Sequence, residues 1–203
     1  DYTFECCGET LDMAELQEIW ESKLEPVYPY RKAGANVDKI NGRLEAPAAA
    51  PKIGVAKPKV IIPVFPGTNC EYDTAHAFAR AGADPEILVI RNLTPADVTA
   101  SCEALVKAIG ESQIVMLPGG FSGGDEPDGS AKFIASFFRN PAVTEAVREL
   151  LQKRDGLMLG ICNGFQALIK LGLVPYGDIR PITSYDPTLT FNTIGRHQSM
   201  LVR

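Results

Sequence analysis

The chain has 203 residues, 45% of them apolar and 22% charged, with a formal net charge of −5 at pH 7. That length and apolar content support a buried core and exclude a disordered chain. Acidic and basic residues are interspersed, which leaves no long basic face for a nucleic acid. No apolar run is long enough to span a bilayer, and DYTFECCGET lacks the charged start and apolar middle of a signal peptide, so a cytoplasmic protein without membrane contacts is expected.

Residues 11–25, LDMAELQEIWESKLE, place Leu11, Ala14, Leu16, Ile19, Trp20 and Leu24 at near-helical spacing behind Thr10 as a candidate N-cap. The stretch that follows, through residue 58, is rich in Pro, Ala and Gly and reads as a linker. Three segments are expected: a helical lead-in and linker over 1–50, a linker over 51–58, and a domain over 59–203. From Lys59 onward short apolar runs alternate with amphipathic segments, the rhythm of a parallel α/β sheet. Strands are expected at Val60–Phe65, Glu86–Ile90, Ile114–Leu117 and Leu157–Gly160, each apolar enough to be covered on both faces. Helices are expected at about 73–82, at 95–109 behind Thr94 and Pro95, at 130–153 with a break near Pro141, and at 164–172. Beyond residue 174, LTFNT and MLVR suggest short strands.

Ligands of such a sheet bind at the carboxyl ends of its strands, where three loops stand out: PGTN (66–69), PGGFSGGD (118–125) and GICNGF (160–165). In the third, an apolar strand runs through Gly-x-Cys-x-Gly straight into a helical pattern, which puts Cys162 on a sharp strand-to-helix elbow. The helix N-terminus favours the thiolate, the form that attacks a carbonyl carbon, and the Asn163 amide can bond the oxyanion that results. A small buried cysteine in a tight turn is the competing reading. The glycine loop PGGFSGGDEPDG (118–129) lacks the Lys-Ser/Thr ending of a phosphate-binding loop, and its Asp125, Glu126 and Asp128 repel phosphate. A second oxyanion amide, from Gly120 or Phe121, is its better functional role; a solvated surface turn is the alternative. Thr68, Asn69 and Asp73 are candidate caps for the helix after the first loop.

Cys6, Cys7, Cys70 and Cys102 read as structural or incidental. The five cysteines form no CxxC pair, and His76 and His197 lie far from any second soft ligand, so no metal site is expected. His76 reads as a surface or helix-packing residue of the first helix of the domain, and no carboxylate follows His197 at short spacing, so neither is a convincing catalytic base.

The elbow Gly160-Ile161-Cys162-Asn163-Gly164-Phe165-Gln166 resembles the GxCxGxQ signature of class I glutamine amidotransferases. FPGTNCEYD, LPGGFSGGDEPDGSAKF and GICNGFQALIKLGL together are similar to the glutaminase domain of phosphoribosylformylglycinamidine synthases, over about residues 59–203. The lead-in GETLDMAELQEIWESKLEPVYP looks like the end of a preceding synthetase part. The resemblance implies a flavodoxin-like, open, mostly parallel sheet with helices on both faces. It implies Cys162 as nucleophile toward glutamine, Gly120 and Asn163 as oxyanion amides, and Gln166 and Phe121 as substrate contacts. It further implies a synthetase partner that uses ATP and Mg, with no cofactor in this chain. The family's His and Glu belong to an HxE motif that His197 does not match. The expectation is thus a fragment, incomplete at its C-terminus and with little turnover alone. A related cysteine hydrolase and a non-catalytic binding module stay open as alternatives; Gln166 after GxCxG speaks against the first.

Overall fold

A computed structural model describes residues 2–27, 54–125 and 130–189. The chain forms two compact units, the smaller described through residues 2–27 and the larger through the remainder.

In the smaller unit, β1 (Thr3–Cys6) and β2 (Glu9–Asp12) pair antiparallel. Cys7 and Gly8 join them with φ of 55° and 83°, the double left-handed turn whose twist suits a two-residue hairpin. Helix α1 (Met13–Ser22) begins later than the apolar spacing suggests. Its cap is Asp12, whose carboxylate accepts from the Ala14 and Glu15 amides at 2.8 and 3.3 Å, while Thr10 belongs to β2.

The larger unit runs β3 (Lys59–Val64), α2 (Glu71–Arg80), β4 (Asp84–Val89), α3 (Pro95–Glu111), β5 (Ile114–Leu117), α4 (Lys132–Phe138), α5 (Pro141–Arg148), β6 (Leu157–Gly160), α6 (Asn163–Leu171) and α7 (Leu173–Tyr176). A π-helical turn, Glu149–Lys153, continues α5. The four strands form one parallel sheet in the order β4-β3-β5-β6. The first strand is therefore interior, and the chain builds outward to one side and then to the other, as in flavodoxin-like sheets. Its switch point opens between the carboxyl ends of β3 and β5.

The period of two along each strand divides the core. Ile61, Val115 and Leu117 face one layer, with Leu105 of α3, Phe138 of α4, Val143 of α5 and Leu171 of α6. Val60, Ile62 and Met116 face the other, against Ala75 and Phe78 of α2. Burying each such side chain contributes about 1.5–3 kcal/mol before the entropy of ordering it. Thr94 and Asp97 form a reciprocal capping box at the start of α3, and Asn140 caps α5 with Pro141 in its first turn, which produces the expected break.

Three expectations change. The second strand of the domain begins at Asp84, and α2 begins at Glu71, directly after the loop closed by Thr68. Strand β6 is not covered on both faces, since Leu157 and Leu159 are each 45% exposed on the outermost strand of the described sheet. Of LTFNT and MLVR only Leu189 is described, without strand structure; the rest of both segments lies outside the described residues.

Arg148 fastens the segment after α7 to α5. Its Nε and Nη2 donate to the two carboxylate oxygens of Asp178 at 2.7 and 3.1 Å, and Nη2 also donates to the Ile179 carbonyl at 2.9 Å. The hydrogen bonds from Arg148 hold the Asp178 carboxyl below its ordinary value. Because the folded value is the lower one, the contribution is complete above the ordinary carboxylate range and is lost as pH falls through the folded value. Asp178→Asn should therefore lose less of its urea midpoint than the wild type between about pH 6 and about pH 2. Equal losses would show that the pair adds no pH-dependent stability.

Candidate active site

The carboxyl end of β6 passes through Ile161, whose N–H still bonds the Leu117 carbonyl at 3.1 Å, and reverses at Cys162. Cys162 has φ 53° and ψ −111°, and α6 starts at the next residue. A non-glycine residue in this region costs about 1–3 kcal/mol and persists only where its surroundings over-determine it. Here both sides do. The Cys162 carbonyl accepts from the Gln166 amide at 3.0 Å, and Gly164 lies so close to β5 that a Cβ on it would come within 2.0 Å of the Leu117 oxygen. The side chain so presented is exposed, not buried in a turn.

The loop after β5 runs beside this elbow. A Cβ placed on Gly119 would be 3.3 Å from Cβ of Cys162 and 3.5 Å from Sγ of Cys70. The same loop is locked to the one after β3: Phe121 N–H donates to the Gly67 carbonyl at 3.0 Å, Gly123 N–H donates to the Pro66 carbonyl at 2.7 Å, and Thr68 bridges Gly120. Gly120 has φ 143°, in the range that favours glycine, and a Cβ there would meet the Gly67 oxygen at 2.7 Å. These bonds separate two amides that the loop residues alone left equivalent, in favour of the one the family resemblance implies. Phe121 has already committed its N–H, whereas among the described residues the Gly120 N–H has no backbone acceptor. The Asn163 N–H, first in α6, also has none among the described residues. The Phe121 ring is 81% exposed.

Asn163 is buried, and its side-chain amide donates to both oxygens of Asp125, at 3.1 and 3.0 Å, and to Oε1 of Gln166 at 3.1 Å. The Gln166 oxygen is thus held, and its Nε2 end is the one left for an incoming acceptor. Asp125 escaped the sequence reading, which treated it as part of an acidic loop tip.

The profile of the CobB/CobQ-like glutamine amidotransferase domain matches residues 57–203. This chain belongs to that family. Over 144 residues it is 35% identical to "Phosphoribosylformylglycinamidine synthase subunit PurQ" of Dehalococcoides mccartyi, covering 71% of this chain and 51% of the relative. It is 37% identical over 144 residues to the same subunit of Methanococcus maripaludis, covering 70% and 48%. The chain thus spans about half the length of the curated relatives it matches. A solved structure of PurLQS from Thermotoga maritima aligns with 58% of this chain and 45% of that chain at 28% identity, with a TM-score of 0.41.

The other cysteines of the chain stand in different environments. Cys102 is buried in α3, and that burial pushes its thiol up. Cys6 and Cys7 belong to the hairpin of the smaller unit. Cys70 precedes α2 and donates its thiol to Oδ1 of Asn69 at 3.3 Å. None of the three expected caps serves α2 through its side chain at the N-cap: Thr68 closes the preceding turn by accepting from the Phe65 amide at 3.3 Å, and the cap position is Cys70, which makes no side-chain cap bond. Asp73 lies in the first turn, where its carboxylate complements the helix dipole. His76 is exposed on α2 and is the sole histidine among the described residues; His197 lies outside them. Among the described residues no three His, Cys, Asp or Glu side chains are grouped to hold a metal ion, and no helix is long and apolar enough to cross a membrane.

Proposed function

We propose that this domain is the glutaminase of a phosphoribosylformylglycinamidine synthase and that Cys162 is its nucleophile. One observation carries the reading: an exposed cysteine held at φ 53° on a strand-to-helix elbow, with two N–H groups that have no backbone acceptor among the described residues, Gly120 on the loop beside it and Asn163 at the start of α6. The thiolate attacks the side-chain carbonyl carbon of glutamine, and the two amides receive the oxygen as it becomes an oxyanion. Collapse of the tetrahedral intermediate expels ammonia and leaves a glutamyl thioester, which water hydrolyses to glutamate. Gln166, through Nε2, is the side chain that contacts the substrate glutamine, and the exposed Phe121 ring is a second contact.

The ammonia passes to a synthetase that spends ATP, with Mg, to convert the amide of formylglycinamide ribonucleotide to an amidine, in the cytoplasm. The names of the relatives and the family membership support this assignment. ATP is assigned to the synthetase because the glycine loop of this chain offers no lysine and places Asp125 where a phosphate would be repelled.

The test is covalent. The full-length protein is treated with 6-diazo-5-oxonorleucine, a glutamine-shaped electrophile, and the modified residue is mapped by mass spectrometry with Cys162→Ala as control. Labelling confined to Cys162 and suppressed by excess glutamine is expected. Labelling spread over the other thiols, or indifferent to glutamine, overturns the assignment.

A further inference from the structure

Asp125 has no part in the chemistry just outlined, yet more of the site converges on it than on any ordinary loop carboxylate. Its Oδ1 accepts from Ser122 Oγ at 3.2 Å, from the Ala131 amide at 2.6 Å and from Asn163 Nδ2 at 3.1 Å; its Oδ2 accepts from the same Asn163 nitrogen at 3.0 Å. Ser122 and Asn163 are both buried, at 2% exposure each. A single carboxylate therefore joins the loop after β5, the start of α4 and the first residue of α6. Bonds from neutral donors to a charged acceptor are about twice as strong as neutral pairs, which suits a tie that must fix geometry.

We infer that Asp125 is a positioning residue for the oxyanion site: it sets the separation of the Gly120 and Asn163 amides by clamping the loop that carries one to the helix that carries the other. The inference rests on the glutaminase reading above. Gly120 is five residues before Asp125 in the loop, and Asn163 offers its backbone N–H to the oxyanion and its side chain to the clamp. Fixing donors in advance is what makes an oxyanion site effective, because no reorganisation remains to be done as charge develops. The chain of bonds extends one step further. Asn163 Nδ2 also donates to Gln166 Oε1, so the clamp orients the Nε2 end of Gln166 as well.

The donor and acceptor pattern supplies the test. Asp125→Asn keeps one oxygen for the Ser122 and Ala131 donors but sets its nitrogen against Asn163 Nδ2 in place of Oδ2, which weakens the clamp at its Asn163 end. Asn163→Asp in the same protein restores an acceptor facing that nitrogen and leaves the residue 163 backbone N–H in place, but it gives up the donor to Gln166 Oε1, so only the oxyanion part of the loss should return. Glutamine-dependent turnover is measured on the full-length protein with its synthetase. For Asp125→Asn, kcat should fall by about 10–100-fold, well beyond any rise in KM for glutamine, because the oxyanion contacts form only in the transition state while Gln166 also touches the bound substrate. The double variant should recover about tenfold of that loss. Ser122→Ala, which removes one tie and adds no clash, should give a several-fold fall in kcat at constant KM, and it serves if Asp125→Asn does not fold. An unchanged kcat in both single variants, a rise in KM alone, or a double variant no better than its parents overturns the inference. If wild-type protein shows no glutamine-dependent turnover, the glutaminase reading has failed and this one falls with it; turnover in the wild type with indifferent variants defeats the clamp alone.

Discussion

Cys162→Ala should lower glutamine-dependent turnover by about ten-thousandfold or more, while turnover with ammonium chloride in place of glutamine stays equal to wild type. The size follows from the chemistry. With Cys162 as the proposed nucleophile, no thioester can form without its thiol, and the proposed oxyanion amides of Gly120 and Asn163 are left to stabilise only the slow direct attack of water, so most of the rate enhancement disappears with one atom. Ammonia supplied from solution bypasses the step and reports whether the synthetase is intact. Folding should not suffer: the side chain is exposed, and alanine at φ 53° meets the same backbone preference that cysteine meets. Steady-state assay with each nitrogen source checks the pair. A variant that keeps more than about a tenth of its glutamine-dependent rate would require a different nucleophile.

What the sequence disclosed and what it concealed divide along a physical line. The limits of β5 and β6 and the cap of α3 were legible because their determinants are local: a short apolar run stopped by Pro118 or ending at Gly160, and Thr94 three residues ahead of Asp97. The elbow was legible for the same reason, as strand, glycine, cysteine, glycine and helix are consecutive. The hairpin at the N-terminus was not. The alternation of Thr3, Phe4, Glu5 and Cys6 is only four residues long and all four are exposed, and Cys7-Gly8 is not among the dipeptides that announce such a turn. The family resemblance pointed to Gly120 over Phe121, but the physical ground for the choice lies in the Gly67 carbonyl that takes the Phe121 N–H, 54 residues earlier in the chain, and only the packing of two loops supplies it. Asp125 was hidden by the same kind of distance, because its partner Asn163 lies 38 residues away and a carboxylate beside glycines reads locally as a solvated tip.

Gly164→Ala should be among the most damaging small changes to the fold, although alanine is normally the better helix former by about 1 kcal/mol. The added Cβ would stand 2.0 Å from the Leu117 carbonyl oxygen, 2.6 Å from its carbon and 2.8 Å from the Leu117 Cβ, so the obstacle is mostly backbone of a central strand and cannot rotate away. Either α6 moves off β5 or the strand gives, and both routes spoil the core that Ala167, Leu168 and Leu171 share with Leu117. A loss of about 3 kcal/mol or more is expected, seen as a melting temperature lower by about 6–12 °C. Gly110→Ala in α3 is the matched control. Nothing lies within 4 Å of a Cβ at that helical position, so there the propensity gain is unopposed and a rise of up to about 1 kcal/mol is expected. The same substitution on two helices should thus change sign, and thermal melts of the two variants settle it. If Gly164→Ala melts like wild type, the close approach of α6 to β5 is wrong, and with it the account of what holds Cys162 in its left-handed conformation.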